Sequence, residues 1–367
     1  MNFMERTYFY DNKFQKDKDV EISGSCFEQL CCILYHNDSN ALKIDTGSVW
    51  LNNLTFSIKC KDGELIRSSI KNKKTDIDKD MYNVSSVTVW GNKELATELL
   101  SKQLNEKGMV IFRTVDKMLP ASKYYDASFC NMQEFPESGH VMLMVGEDEQ
   151  NYYFVDQLSE INKDLAVATD ARKDIFKWDK LKMQSLFEIY LKLTLVEFNN
   201  IDEDELIKKS ELIIEESVND FFANSSRVKT NDNGIITLRN MEAISWLRAF
   251  CNSSNKLNTQ VYRYPQGIRT TTMVYDEIVN GITGIVNNRR LLYIFLEKND
   301  GKSKELLQCL EKNIYGWDNL KRYLMINYKK KEFDLDGRYD ACFKSVVDTE
   351  AELFNELRNR VSKKHLV

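Results

Sequence analysis

Apolar and polar positions follow two alternating rhythms along the first half of the chain. Phe27, Leu30, Cys31 and Leu34 recur at i, i+3, i+4 and i+7 and predict one face of a helix over 25–36. Residues 49–51 and 54–60 predict short strands around a turn. Leu95, Leu99, Leu100 and Leu104 form the stripe of a second amphipathic helix, 93–105, which Gly108 ends. Residues 109–112, 141–145 and 152–155 predict further strands, the last two joined by the polar hairpin turn 147–151. Past a strand over 190–198 the helical period dominates, at 203–222, 240–251, 272–295, 302–327 and 349–363. The clearest loop there is 224–234. The change of rhythm, with an acidic helix start after Asn199, predicts an α+β catalytic domain over 1–198 and a mainly helical domain over 199–367.

Composition narrows the classes. With 367 residues, 3 Pro and 14 Gly, the chain has the length of about two domains and excludes collagen-like and Gly/Ser- or Pro-rich linker architectures. Lys+Arg 51 against Asp+Glu 56 gives a net charge of −5, a balance that argues against wholesale nucleic-acid binding. The polar start of the chain has no apolar signal-peptide core, and the longest apolar run, 291–296, is far short of the ~20 residues that span a bilayer. A cytoplasmic protein with no membrane partner is expected, its 8 cysteines reduced. There is no C-x-x-C and only three histidines, so no metal is expected; no phosphate-binding glycine loop points to a nucleotide cofactor.

The chemistry gathers around Gly24-Ser25-Cys26-Phe27-Glu28. Ser25 and Glu28 have capping-box spacing, which puts Cys26 at the first helical position. The helix dipole and unpaired N–H groups there lower a thiol's pKa and favour the nucleophilic thiolate. The bland reading of Cys26 is a small apolar residue opening a core helix. A second candidate is His140, in Ser138-Gly-His-Val-Met-Leu-Met-Val-Gly146. If Gly146 faces Gln150 across the hairpin, His140 lies opposite Asp156 with Cβ atoms ~5 Å apart, and a one-residue slip moves them to opposite faces. A carboxylate beside an imidazole fixes its tautomer and stabilises the imidazolium. Blander readings suit the rest: His36 as a helix C-cap, His365 in a basic tail, Lys329–Lys331 as a solvated helix end, and the five tryptophans as core.

A cysteine at a helix start, a histidine before a strand and an Asp one hairpin later is the chain order of papain-like folds. More specifically, Gly108-Met-Val-Ile-Phe-Arg-Thr-Val-Asp-Lys-Met-Leu-Pro120, Ser138-Gly-His-Val-Met-Leu-Met-Val-Gly-Glu-Asp148 and Tyr152-Tyr-Phe-Val-Asp156 resemble the butirosin-biosynthesis acyltransferase family over about residues 15–195. The helical remainder is similar to the C-terminal region that often accompanies such domains. The resemblance implies a papain-like domain with an antiparallel sheet, and acyl transfer from a carrier-protein thioester to an amine through a cysteine acyl-enzyme. Cys26 is then the nucleophile, His140 the base and Asp156 its orienter. The acyl or peptidyl carrier protein and a small amine are the partners, and phosphopantetheine enters only as the carrier's arm. One departure is the oxyanion-hole Gln that papain-like peptidases carry about six residues before the cysteine: here Val20 stands there, and the nearest upstream Gln is Gln15.

The expected function is thus an acyltransferase or amide synthase of specialised, nonribosomal metabolism. Its Lys/Asn/Ile-rich composition suits a low-GC anaerobe, and the amide synthase of closthioamide-type polythioamide assembly is a further resemblance. The helical domain would shield the acyl-enzyme from water. The alternatives are a cysteine peptidase or amide hydrolase of the same fold, and a binding protein on a silent papain-like scaffold, against which the retention of all three chemical groups speaks.

Overall fold

The structure, a computed structural model, describes residues 53–66, 70–72, 82–107, 110–114, 140–155, 167–169, 172–187, 190–198, 203–223, 228–251, 260–261, 272–299, 303–330 and 337–364. Three short strands open this part of the chain: β1 (Phe56–Lys61), β2 (Glu64–Leu65) and β3 (Lys71–Asn72). Phe56, Ile58 and Cys60 of β1 are buried and their neighbours are not, the period of a strand covered on one face. β1 turns into β2 through Asp62 and Gly63, at φ 52° and 78°. A two-residue hairpin needs positive φ at both positions, and Asp-Gly supplies it with little strain.

The described residues of the first unit lie within 82–198. It contains β4 (Tyr82–Trp90), α1 (Lys93–Lys107), β5 (Val110–Thr114), β6 (His140–Glu147), β7 (Asn151–Val155), β8 (Val167–Thr169), β9 (Arg172–Asp179), α2 (Lys180–Phe187) and β10 (Tyr190–Phe198). The strands form one antiparallel sheet in the order β4-β10-β5-β6-β7-β9-β8, which puts β6 at its centre. Asn92 caps α1, its side-chain oxygen accepting the Leu95 N–H at 3.0 Å. The buried stripe of α1 is Ala96, Leu100 and Leu104, with Leu99 beside it; Leu95, expected on that stripe, is 43% exposed. Together α1 and α2 cover the sheet face that carries Met142, Met144, Tyr152, Phe154 and Leu193. Burial of each such side chain is worth roughly 1.5–3 kcal/mol.

The second unit joins 53–72 to 203–364. Its later elements are α3 (Glu203–Phe222), β11 (Val228–Thr230), β12 (Ile236–Arg239), α4 (Asn240–Cys251), β13 (Gln260–Val261), β14 (Thr272–Met273), α5 (Val274–Asn299), α6 (Lys304–Lys330) and α7 (Arg338–Lys364). The segment around β1, expected in the N-terminal domain, pairs instead with β12, Ile58 facing Leu238. The apolar edge of β1 is satisfied by a strand far along the chain and by the core of α4–α7. The second unit carries a sheet of its own, ordered β11-β12-β1-β2 with β3 also on β1. Gly281 permits α5 to approach residue 70: a Cβ there would sit 2.4 Å from that of Ile70.

Inside the second unit lies a buried ion pair. Arg289 on α5 donates through Nη2 to both carboxylate oxygens of Glu350 on α7 at 3.1 Å, with both residues at 0% exposure. Trp317 Nε1 donates to the same carboxylate at 2.7 Å and Asn313 Nδ2 at 3.2 Å.

Candidate active site

The first residue of the central strand β6 is His140, and its backbone faces Thr114 of β5. Further along the strand, Met142 and Met144 are 1% and 0% exposed under the helical layer. Strand β6 is paired on both sides, with β5 from residue 140 and with β7 from residue 143. Cys26 and Asp156 lie outside the described residues, as do His36, His365 and the helix expected over 25–36.

The β6–β7 hairpin forms as expected, but its register corrects the anticipated one. Gly146 faces Tyr153 rather than Gln150, Glu147 faces Tyr152, and beyond a bulge Met144 faces Phe154 and Leu143 faces Val155. The pairing that would set position 140 opposite 156 is therefore not the one these strands adopt. Even-numbered positions still share a face where Met144 meets Phe154, so the slip is one of offset and not of side.

The bulge after Met144 adds to the offset, and Asp148 shapes the turn. Its carboxylate accepts the backbone N–H groups of Gln150 at 2.8 Å and Asn151 at 2.6 Å, and the Tyr153 hydroxyl at 2.5 Å. The Asp148 N–H in turn donates to the Asn151 carbonyl at 2.9 Å. An Asp that bonds its own backbone two and three residues on builds an Asx turn, which closes the loop in a fixed shape. Desolvation raises the Asp148 carboxyl, but the hydrogen bonds from Tyr153, Gln150 and Asn151 outweigh it and hold the group below its ordinary value. On the other partner, burial and the Asp148 carboxylate push the Tyr153 phenol up to about 12.

A pH dependence follows. A depressed carboxyl pKa contributes stability above the unfolded value, and that stability is lost as pH falls through the folded value. Asp148→Ala is expected to cost on the order of 1 kcal/mol at neutral pH, solvent screening keeping an exposed turn's contribution small. The gap between variant and wild type should close in acid; urea titrations across pH measure it, and a gap unchanged from neutral to strongly acidic pH would refute the assignment.

At the same hairpin end, Glu147 pairs with Lys180 of α2 at 2.6 Å and accepts the Ser101 hydroxyl of α1 at 3.2 Å. Gln184 Nε2 donates to the buried Tyr152 hydroxyl at 3.3 Å, and Lys180 stands 5.1 Å from the Tyr152 ring centre. These contacts fasten both helices to the hairpin. None was marked by the sequence, where Glu147 reads as a turn residue. They lie at the opposite end of β6 from His140, seven residues or roughly 23 Å away at ~3.3 Å per residue.

Four cysteines are described: Cys60, Cys251 and Cys309, which are buried, and Cys342, which is partly so; all are free thiols. Burial raises all four, Cys251 to about 12 and, with the Glu352 carboxylate adding to it, Cys309 to about 11. Cys60 and Cys251 belong to the buried core of the second unit and Cys342 packs against it, while the Cys309 thiol donates to Glu352 at 3.3 Å. Among the described residues no group of His, Cys, Asp and Glu is placed to hold a metal ion, and no helix is long and apolar enough to cross a membrane. Of the five tryptophans expected in the core, Trp178 packs on Phe154 with ring centres 5.3 Å apart and Trp317 serves the Glu350 network, both buried, whereas Trp90 is 54% exposed. No protein-family model matches the chain, and no curated protein matches it.

Proposed function

We propose that the chain is a cysteine acyltransferase of papain-like architecture that moves an acyl group from a carrier-protein thioester to an amine. The observation that carries the reading is the place of His140. It opens the central strand of a seven-stranded antiparallel sheet, and the adjoining hairpin strand ends at Val155, immediately before Asp156 in the chain. The sequence features that support it are Cys26 at a capping-box helix start upstream and the Gly108–Pro120 and Ser138–Asp156 segments that resemble the butirosin-biosynthesis acyltransferases.

In this reading the Cys26 thiolate attacks the thioester carbonyl and the carrier's pantetheine departs as a thiolate, which takes a proton from the protonated His140. The acyl group then rests on Cys26 as a new thioester. The amine nitrogen attacks that carbonyl, His140 accepts the amine proton, and the Cys26 thiolate leaves. Asp156 orients His140 and stabilises its charged form. Both leaving groups are thiolates of pKa ~8–9, a smaller demand on the oxyanion hole than the amine a peptidase must expel. That difference accommodates Val20 at the place of the peptidases' Gln.

The test is a mass measurement. Incubated with acyl-loaded carrier proteins, the enzyme should gain the mass of the acyl group, and a diamine or amino-sugar acceptor should convert that species to amide. Release of free acid should stay slow when the amine is omitted. Rapid acid release irrespective of amine, or efficient cleavage of ordinary peptides, would replace this reading with a cysteine hydrolase.

A further inference from the structure

The two edges of the seven-stranded sheet differ sharply. At one end β8 is three residues long and its pairing with β9 is broken by a register shift between Ala168 and Thr169. Short strands and irregular pairing are two ways a sheet edge avoids binding another strand. At the other end β4 is nine residues long, and all nine pair with β10 without a shift, from Tyr82↔Phe198 to Trp90↔Tyr190. Its sequence, Tyr-Asn-Val-Ser-Ser-Val-Thr-Val-Trp, contains no charge, no proline and no glycine. Ser85, Ser86, Val87 and Thr88 in its middle are exposed, and Val87 keeps 40% of its surface open. Among the described residues no further strand pairs with the outer edge of β4, and charge, proline and irregular pairing, three of the devices that block strand addition, are absent from it.

We propose that β4 is a self-association edge: two copies of this chain pair β4 with β4, antiparallel about Ser86, and join their sheets into one. The strand is suited to itself. A two-fold axis through the Ser86 pair matches all nine residues and sets Val84 against Thr88, Ser85 against Val87 and Tyr82 against Trp90. Every one of these is a neutral pair, so no like charges meet across the axis, whereas a charged residue anywhere on the strand would add a repulsion twice. The two Val87 side chains fall on the same face, diagonal to each other across the axis, which removes exposed apolar surface from water. Such an interface is isologous and closes on itself, giving a dimer and not a fibre.

Native mass spectrometry and light scattering of the full chain should show a dimer. Ser86→Lys puts two ammonium groups face to face and should weaken dimerisation on the order of tenfold or more, the equivalent of ~1.4 kcal/mol. Ser86→Glu alone should do the same, and an equimolar mixture of the two variants should restore a heterodimer, which excludes misfolding as the cause. Ser86→Cys should crosslink on mild oxidation, because directly opposed Cβ atoms lie within disulfide range, and Ser85→Cys should not. A monomeric wild type, or a dimer that Ser86→Lys and Ser86→Glu leave intact, overturns the proposal.

Discussion

Replacing Cys26 by Ala is expected to end amide formation and to leave the enzyme unable to take up acyl mass from a loaded carrier protein. The loss should be about four orders of magnitude or more, since the covalent route disappears altogether. A single thiol adds little packing, so the far-ultraviolet circular dichroism and the unfolding midpoint should match wild type. His140→Ala should cost roughly 10²–10⁴-fold, the usual contribution of a positioned general base. Asp156→Asn should be milder or equal, because it changes orientation and charge stabilisation and not the bond-forming groups. The pattern across the three is more informative than any one value. Cys26→Ala should lose the acyl adduct, His140→Ala should slow both its formation and its aminolysis, and Asp156→Asn should keep the adduct. Full activity in Cys26→Ala would move the nucleophile elsewhere in the chain or make the reaction non-covalent.

Much of the secondary structure was legible because strong local periods wrote it. The strand 190–198, the helix 203–222 and the helix 240–251 form with the expected bounds. The elements that escaped are those whose identity comes from distant partners. β4 reads as a polar stretch, Ser85-Ser86 and Asn83 interrupting its valines, and becomes a strand because β10 pairs with every residue of it. β9 and α2 are equally non-local, one half-covered by β7 and the other recruited by Met183 and Phe187 to the core under the sheet. The first turns of α7 were missed for a similar reason: Tyr339, Phe343 and Val346 are buried only because α4–α6 surround them.

The candidate site shows the same division. His140 was placed at a strand start by the apolar run that follows it, and there it lies. The offset of its hairpin was not legible from residue types, since the Asx turn at Asp148 and the bulge after Met144 set it together. A one- or two-residue change in a turn is invisible to the alternation of Met142, Met144, Tyr152 and Phe154, which stays intact in either register. Nor does any local period announce that the strand at 56–61 belongs with 236–239, because β1 alternates in the way that any half-buried strand would.

The stability of the second unit should depend on Glu350 more than on any exposed charge in it. Its carboxylate is 0% exposed and accepts hydrogen bonds from Arg289, Asn313 and Trp317, three groups on two other helices. The Arg289 guanidinium, also 0% exposed, donates in addition to Asn313 Oδ1 at 3.3 Å and faces the Phe354 ring at 5.6 Å. Glu350→Ala therefore leaves a cation in an apolar interior without its counter-charge, and opens a cavity beside it. The expected cost is roughly 3–5 kcal/mol, the range for breaking a buried pair by removing one partner. Glu350→Gln should recover only part of this, since it restores an acceptor for Trp317 and Asn313 but not the charge. The double replacement Arg289→Met with Glu350→Leu should be far less damaging than either loss alone, because desolvating two ions consumes most of what their attraction returns. Guanidinium unfolding of wild type, Arg289→Met, Glu350→Leu and the double variant forms a double-mutant cycle. Single-site costs below ~1 kcal/mol, or a double variant that costs the sum of the singles, would mean the pair is not the coupled unit its geometry implies.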